Sequence, residues 1–325
     1  MPARNYSAEP NSTRDCSTAA QSSYPKALIS NGVVKAVIYL PDAKNGYYRG
    51  VRFDWSGVVG CLAYKGHTYF GVWFPHYDPH LHDAITGPVE EFRSGFESAL
   101  GYEQAKPGEP FVKPGVGVLR RIDDTPFNFT VPYPLVDGGK WTLKTGPTSV
   151  SFTHDLKAPK GIAYKYTKVL TLDKDQPVLI LEHELKNTGT ASIDTDVYNH
   201  DFFVLDDSPT GPGMVIRFPF APKAETPFTN GARIEGNEIV YDRELQTGEA
   251  VQSVLTGYSN QPSDYTFIVE NRNTGAGVEQ TGDLPISLIN LWSIRTTICP
   301  EAYVHLNIAP GQSAHWTIRY RFYAR

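Results

Sequence analysis

The chain holds very little sulfur: three Cys and two Met in 325 residues. Cys16, Cys61 and Cys299 are widely spaced and form no C-x-x-C. So sparse and odd a set is neither a disulfide framework nor a zinc site. Cys61 and Cys299 fall in apolar runs and are expected as buried thiols. No stretch approaches the roughly 20 apolar residues that a membrane span needs. The N-terminus carries no apolar signal core, which favours the cytoplasm. Basic blocks are missing as well. With 30 Lys and Arg against 35 Asp and Glu the net charge is only -5, so duplex nucleic acid is not an expected partner. There is no glycine-rich phosphate loop, no H-E-x-x-H and no G-x-S-x-G, so those nucleotide, zinc-protease and hydrolase chemistries lose their usual signatures. Amphipathic helices of a dozen residues are absent, and no solenoid or propeller repeat is visible.

What is present points to strands. Aromatics make up 12% of the chain, and Gly and Pro are frequent, a profile of pleated surfaces and tight turns. Residues 1–25 are rich in Ser, Thr, Ala and Asn and are expected to form a flexible tail. From about residue 26 to 325 the apolar pattern runs on without a linker, which predicts one large all-β domain. Ala27–Leu40 predicts two strands about an Asn31-Gly32 turn. Further strands are expected over Tyr47–Gly57, Val58–Tyr64 and Thr68–Phe74. Val150–His154 and Ala163–Leu172 alternate, and Val178–Leu181 reads as a fully buried run. Between them, residues 75–115 form a polar, Pro-rich excursion of the kind that walls binding clefts. Asn11-Ser12-Thr13 and Asn128-Phe129-Thr130 match the glycosylation sequon, which matters only in a eukaryotic secretory setting.

Several groups could carry chemistry. Val197–Asp207 is a β-prone run interrupted by Asn199-His200-Asp201. His200 suits proton transfer near neutral pH, or is a satisfied histidine in a polar layer. Glu301 follows the β-branched run Thr297-Ile298 and precedes another strand. A carboxylate between buried strands is costly unless it is paired or working, although a solvated turn is the plainer alternative. His76, His80 and His82 with Asp78 and Asp83 offer a metal set, a substrate-contacting loop or plain surface. Their spacing matches no established metal motif. Lys113, Arg120 and Arg121 could meet a ligand or simply face water. Trp73, Tyr77, Trp141 and Trp292 could stack on sugar rings, as core aromatics or otherwise.

The stretch Asn199-His200-Asp201-Phe202-Phe203-Val204-Leu205 resembles the Asn-His-x-Tyr-Phe-Asn-Leu run of the aldose 1-epimerase (galactose mutarotase) superfamily. The C-terminal pattern is similar too: Glu301, a strand, Ile308-Ala309-Pro310-Gly311, and a last strand closing on Arg319-Tyr320-Arg321-Phe322. The two motifs cover the second half of the chain. The resemblance implies a β-supersandwich of two large, mostly antiparallel sheets. It also implies His200 as general acid and Glu301 as general base in ring opening, with a small sugar or oligosaccharide as partner. The acid–base chemistry implied by the resemblance needs no metal and no organic cofactor. Asn199, Asp201, Lys113, Arg120, His76, His82 and Trp292 are the expected substrate contacts. The sequence departs from the family where Phe202 and Val204 replace Tyr and Asn. It departs again where Lys113-Pro114-Gly115-Val116-Gly117 replaces a histidine-bearing loop. A substrate with a charged or extended group would suit the basic residues nearby. The alternative function is a carbohydrate-binding or lyase-like protein on the same scaffold.

Overall fold

The computed structural model describes residues 15–95 and 97–325. A ten-stranded antiparallel sheet runs in the order Ala232–Glu235, Glu238–Tyr241, Met214–Arg217, Thr266–Asn271, Ala276–Gly282, Ser313–Ala324, Val178–Asn187, Ala163–Leu172, Ser149–Lys157 and Lys140–Thr145. Facing it is a six-stranded sheet in the order Lys223–Ala224, Ala250–Thr256, Leu288–Ile294, Thr297–Ile308, Ile193–His200 and Val89–Arg93. A four-stranded N-terminal sheet extends this second layer, because Phe203 bridges both Phe70 and Ile298. Side chains of alternate residues meet between the layers: Leu179, Leu181, Ile318 and Tyr320 from one side, Val197, Ile289, Leu291 and Ala302 from the other. Burying each of the Val, Leu and Ile side chains contributes about 1.5–3 kcal/mol. This is the β-supersandwich that the resemblance implies.

The Asn31-Gly32 hairpin forms between Lys26–Ser30 and Lys35–Tyr39, and Asn31 Oδ1 accepts from the Val33 and Val34 amides at 2.9 and 2.7 Å. Other expectations need correction. Val178–Leu181 is not buried throughout: Leu179 and Leu181 face the core while Val178 and Ile180 are partly exposed, because the far face of the ten-stranded sheet meets solvent. Tyr47–Gly57 is irregular rather than a strand. The excursion is not structureless, since Val89–Arg93 pairs with the His200 strand and Pro110–Lys113 belongs to a small three-stranded sheet. Its Glu90-Glu91 pair hid the first of these, because strands rarely bury two adjacent acids.

Cys61 is not a free thiol. It is bonded to Cys16, with the two Cα atoms 5.5 Å apart across 45 residues of sequence. Cys299 is free and buried, as expected. Of the predicted tail, residues 1–14 lie outside the described residues. From Asp15 the chain includes a short helix, Ser17–Gln21, and Cys16, Ala19, Ala20 and Tyr24 pack on an aromatic cluster. There the Tyr39 and Tyr47 rings stack 4.1 Å apart and Tyr24 meets both edge-on. No helix among the described residues is long and apolar enough to cross a membrane.

Candidate active site

Period-two alternation sorts the side chains of the six-stranded layer. On Thr297–Ile308, Ile298, Ala302 and Val304 enter the interlayer core. Cys299, Glu301 and Tyr303 therefore face the other way. On Ile193–His200 the same rule turns Tyr198 and His200 to that outer face. Register then sets neighbours side by side: Tyr198 opposite Tyr303, and Asn290 opposite both Glu301 and Val254. His200 comes to lie beside Glu301, with Nε2 3.1 Å from Oε1. Asn290, Glu301 and His200 thus form one row across three adjacent strands.

This row floors a cavity of about 380 Å3. Trp292, Tyr303 and Gln252 complete the floor, and Arg52, Asp83 and Phe129 reach over it from the first half of the chain. A larger open hollow of about 900 Å3, walled by Leu100, Gln104, Lys160 and Asp194, lies apart from the pair and shares only Glu97 with it. Of the two, the smaller contains the His–Glu pair.

The His200 ring stacks flat on Phe202 at 3.7 Å and meets the edges of Phe53 and Trp292, each at 5.6 Å. Phe202 reaches this position through a left-handed backbone, φ 43°, directly after the strand ends. Such a conformation costs about 1–3 kcal/mol in a residue with a side chain. His200 Nδ1 is buried without a hydrogen-bond partner. Burial, with help from Arg52, pushes the imidazole well below its ordinary value. Glu301 Oε2 accepts from Asn290 Nδ2 at 3.0 Å and from the Tyr303 hydroxyl at 3.3 Å. Burial still pushes Glu301 up to about 7, against the pull of Asn290, Arg93 and Arg52.

A second carboxylate, Glu91, organises the ground beneath. Its Oε2 accepts from Arg52 Nε at 2.9 Å, Arg93 at 3.1 Å and the Tyr198 hydroxyl at 2.5 Å, and its Oε1 from Lys113 at 3.2 Å. Burial opposes this charge, but Arg93, Arg52 and Lys113 hold the carboxyl well below its usual range. Arg52 also pairs with Asp83 and donates to Tyr198 at 3.3 Å, so all three of its nitrogens are engaged. For Asp83, burial is outweighed by Arg52 and His82, which keep it ionised.

The predicted contacts scatter. Trp292 lines the cavity with His200 and Glu301. His82 does not line it but touches two residues that do, with Nε2 3.2 Å from Asp83 Oδ2 and its ring 5.7 Å from Phe129. Lys113 is wholly buried behind Glu91. Asn199 and Asp201 point into the interlayer core, where Asn199 donates to Glu90 at 3.0 Å and Asp201 accepts from Tyr320 at 2.7 Å. Arg120 is exposed beside a separate hollow, and His76 is exposed on its loop. Arg52, Arg93, Asn290, Gln252, Tyr303 and Phe129 escaped the sequence reading. For Asn290 and Tyr303 a signal existed: each lies two residues from a named partner, Trp292 or Glu301, on the same strand face. Among the described residues no group of three His, Cys, Asp or Glu side chains is placed to hold a metal ion.

No protein-family model matches the chain, and neither does any curated protein. Solved structures do. A protein of Synechocystis is similar over 94% of this chain and 97% of its own, with TM-score 0.56 and 13% identity. A structure described as a putative aldose 1-epimerase of Escherichia coli K12 is similar over 92% and 99%, with TM-score 0.55 and 12% identity. A galactose mutarotase related enzyme of Lactobacillus acidophilus is similar over 92% and 97%, with TM-score 0.53 and 9% identity.

Proposed function

We propose that this chain, a divergent protein of the galactose mutarotase-like fold, interconverts the anomers of an aldose through acid–base ring opening at His200 and Glu301. The observation that carries the reading is the 3.1 Å approach of His200 Nε2 to Glu301 Oε1 on the floor of a sugar-sized cavity. Mutarotation moves two protons, one from the anomeric hydroxyl and one to the ring oxygen. Both oxygens are bonded to the same carbon, so a donor and an acceptor side by side can reach them together. C1–O5 then breaks, the open-chain aldehyde turns about C1–C2, and closure on the other face gives the other anomer. No metal and no organic cofactor enter these steps.

Around the pair, Asn290, Gln252 and Asp83 supply amide and carboxylate groups for sugar hydroxyls, and Trp292 and Phe129 supply ring faces. The basic residues expected near a charged substrate do not reach the cavity: Lys113 is buried behind Glu91 and Arg120 lies beside another hollow. Arg52 is fully engaged by Glu91, Asp83 and Tyr198, so a uronate or phosphate would have to displace a carboxylate. The Cys16–Cys61 bond supports an oxidising compartment over the cytoplasm, since reducing compartments rarely retain such bonds.

The test is anomer exchange followed by proton NMR across a panel of aldoses. Wild type exceeds the buffer rate on at least one sugar, and His200→Gln and Glu301→Gln each lose about 10²–10⁴-fold. Equal rates for wild type, both variants and buffer on every sugar defeat the reading.

A further inference from the structure

Resting on that reading of the site, we infer that the substrate is the reducing end of a neutral oligosaccharide, and that the large hollow beside the catalytic cavity holds the sugar units that follow it.

Strand geometry puts the two recesses on one face. On Ile193–His200, period-two alternation turns Asp194, Tyr198 and His200 to the same outer side. His200 lines the cavity and Asp194 lines the hollow. The strand between them spans about 20 Å, at about 3.3 Å per residue. The neighbouring strand repeats the arrangement. Its last residue, Arg93, lines the cavity, and Ser94 lines the hollow and donates to the Asp194 carbonyl at 2.9 Å. Glu97 borders both recesses, with its carboxylate 4.0 Å from Arg93. A further junction comes from Phe127-Asn128-Phe129, where Phe127 lines the hollow and Phe129 the cavity.

The lining selects the ligand. Ala99, Leu100 and Ile162 are buried and give the hollow an apolar surface, to which half-buried Phe127 adds a ring. Around them stand Glu97, Glu103 and Asp194, all exposed. Lys160, the one basic residue among the described lining, is already held by Glu109 at 2.7 Å and by the Gln104 carbonyl at 3.0 Å. A neutral sugar matches these surfaces: its C–H faces rest on apolar side chains and its hydroxyls donate to carboxylates. A uronate or a phosphorylated chain would meet like charge at each of the three acids. Ligand sites commonly measure about 300–1,000 Å3. The cavity of about 380 Å3 stands near the lower end and the hollow of about 900 Å3 near the upper. One ring suits the first, and more than one unit suits the second.

The chemistry sets the direction of the chain. Only a reducing-end unit carries a free anomeric hydroxyl, so that unit sits on His200 and Glu301. The next unit is joined through an oxygen away from C1 and extends past Glu97. Ring opening leaves the glycosidic bonds untouched, so the hollow contributes binding and no further step.

Anomer exchange on the full chain, followed by proton NMR, compares glucose and galactose with maltotriose, cellotriose and β-1,4-galactotriose. At least one trisaccharide should show kcat/KM about tenfold or more above its own monosaccharide, with the difference in KM. Ser192→Trp sets a large ring into the hollow from an exposed position on its wall. It should abolish that advantage and leave monosaccharide exchange unchanged. Asp194→Ala should raise the trisaccharide KM by about threefold to tenfold. Trisaccharides no better than their monosaccharides overturn the inference and leave the proposed function standing; so does an advantage that survives both variants. If wild type exchanges no anomers at all, the proposed function fails, and calorimetric titration with the same trisaccharides decides. Binding that Ser192→Trp removes keeps the hollow as an oligosaccharide site. No binding, or binding of tetralysine in its place, overturns it.

Discussion

Replacing Glu301 by Gln removes the carboxyl of the cavity floor while keeping its shape and its contacts to Asn290 and Tyr303. The folded chain raises this carboxyl from 4.5 to about 7, chiefly by burial. A raised acid prefers its proton in the folded state, so its contribution to stability is complete below pH 4.5. It is lost as pH climbs through 7, where the folded protein must hold a desolvated charge that the unfolded chain releases into water. The difference between the two values corresponds to about 3 kcal/mol, at about 1.4 kcal/mol for each unit. Gln imitates the protonated acid and does not titrate. Glu301→Gln should therefore gain on wild type as pH rises, by about 3 kcal/mol between pH 4.5 and pH 8, while losing anomer exchange. Asp54, also raised to about 7 by burial, titrates in both proteins and cancels in the comparison. Urea unfolding at pH 5 and pH 8 measures the two differences from midpoint and slope. A stability gap that is unchanged within about 0.5 kcal/mol between the two pH values refutes the reasoning, because the carboxyl would then be as well solvated folded as unfolded.

Three further outcomes follow from named contacts. Breaking the Cys16–Cys61 bond, which closes a loop across 45 residues, should cost about 4 kcal/mol on the chain-entropy estimate; the denatured chain should expose only Cys299 to a thiol reagent until reductant is added. At Gly87, a Cβ would stand 2.0 Å from the Asp201 carbonyl oxygen and 2.8 Å from that of His200, so Gly87→Ala should destabilise by about 1–3 kcal/mol and depress anomer exchange; an unchanged melting curve and rate would contradict the packing. Lys168→Met leaves Glu90 without its buried cation and should cost about 3–5 kcal/mol, read by urea unfolding at pH 7; a loss below about 1 kcal/mol would mean His183 and Asn199 suffice.

His200 and Glu301 were legible because each broke a local rule, a polar triplet in a strand and an acid between apolar runs. Their family pattern then joined two points about a hundred residues apart. The strands were legible from alternation, which needs only neighbours in sequence, while their arrangement in two sheets came from the resemblance. Residues whose identity makes sense only through distant partners were not. Val-Glu-Glu-Phe at 89–92 reads as loop until Lys168, His183 and Asn199 on one face and Arg52, Arg93 and Lys113 on the other neutralise it. Asn199 and Asp201 were misplaced for the reason that revealed His200: alternation sends a residue's two neighbours to the opposite face. The disulfide was hidden because nothing near Cys16 or Cys61 announces that the chain brings them together.

Three buried glutamates on two strands of the six-stranded sheet, one on each side of Ile193–His200, differ in the company the fold gives them. Glu90 and Glu91 are adjacent and face opposite sides of one strand. Each is met by at least one cation, and each carboxyl ends below its ordinary range, Glu90 at about 2, despite complete burial. Glu301 is as deeply buried, yet among the described residues its one ion-pair partner is His200, and its carboxyl rises to about 7. Burial alone therefore does not set proton affinity here; the placement of Lys and Arg does. The fold thus surrounds Glu90 and Glu91 with cations and leaves Glu301 a histidine that itself resists charge. Acid and base assignments follow from such separated environments. Bringing a cation to Glu301 should lower its proton affinity and shift the pH dependence of anomer exchange to lower pH. The Asn290→Lys variant, one position across the strand pair, makes that test: an unmoved profile would mean that some other group sets it.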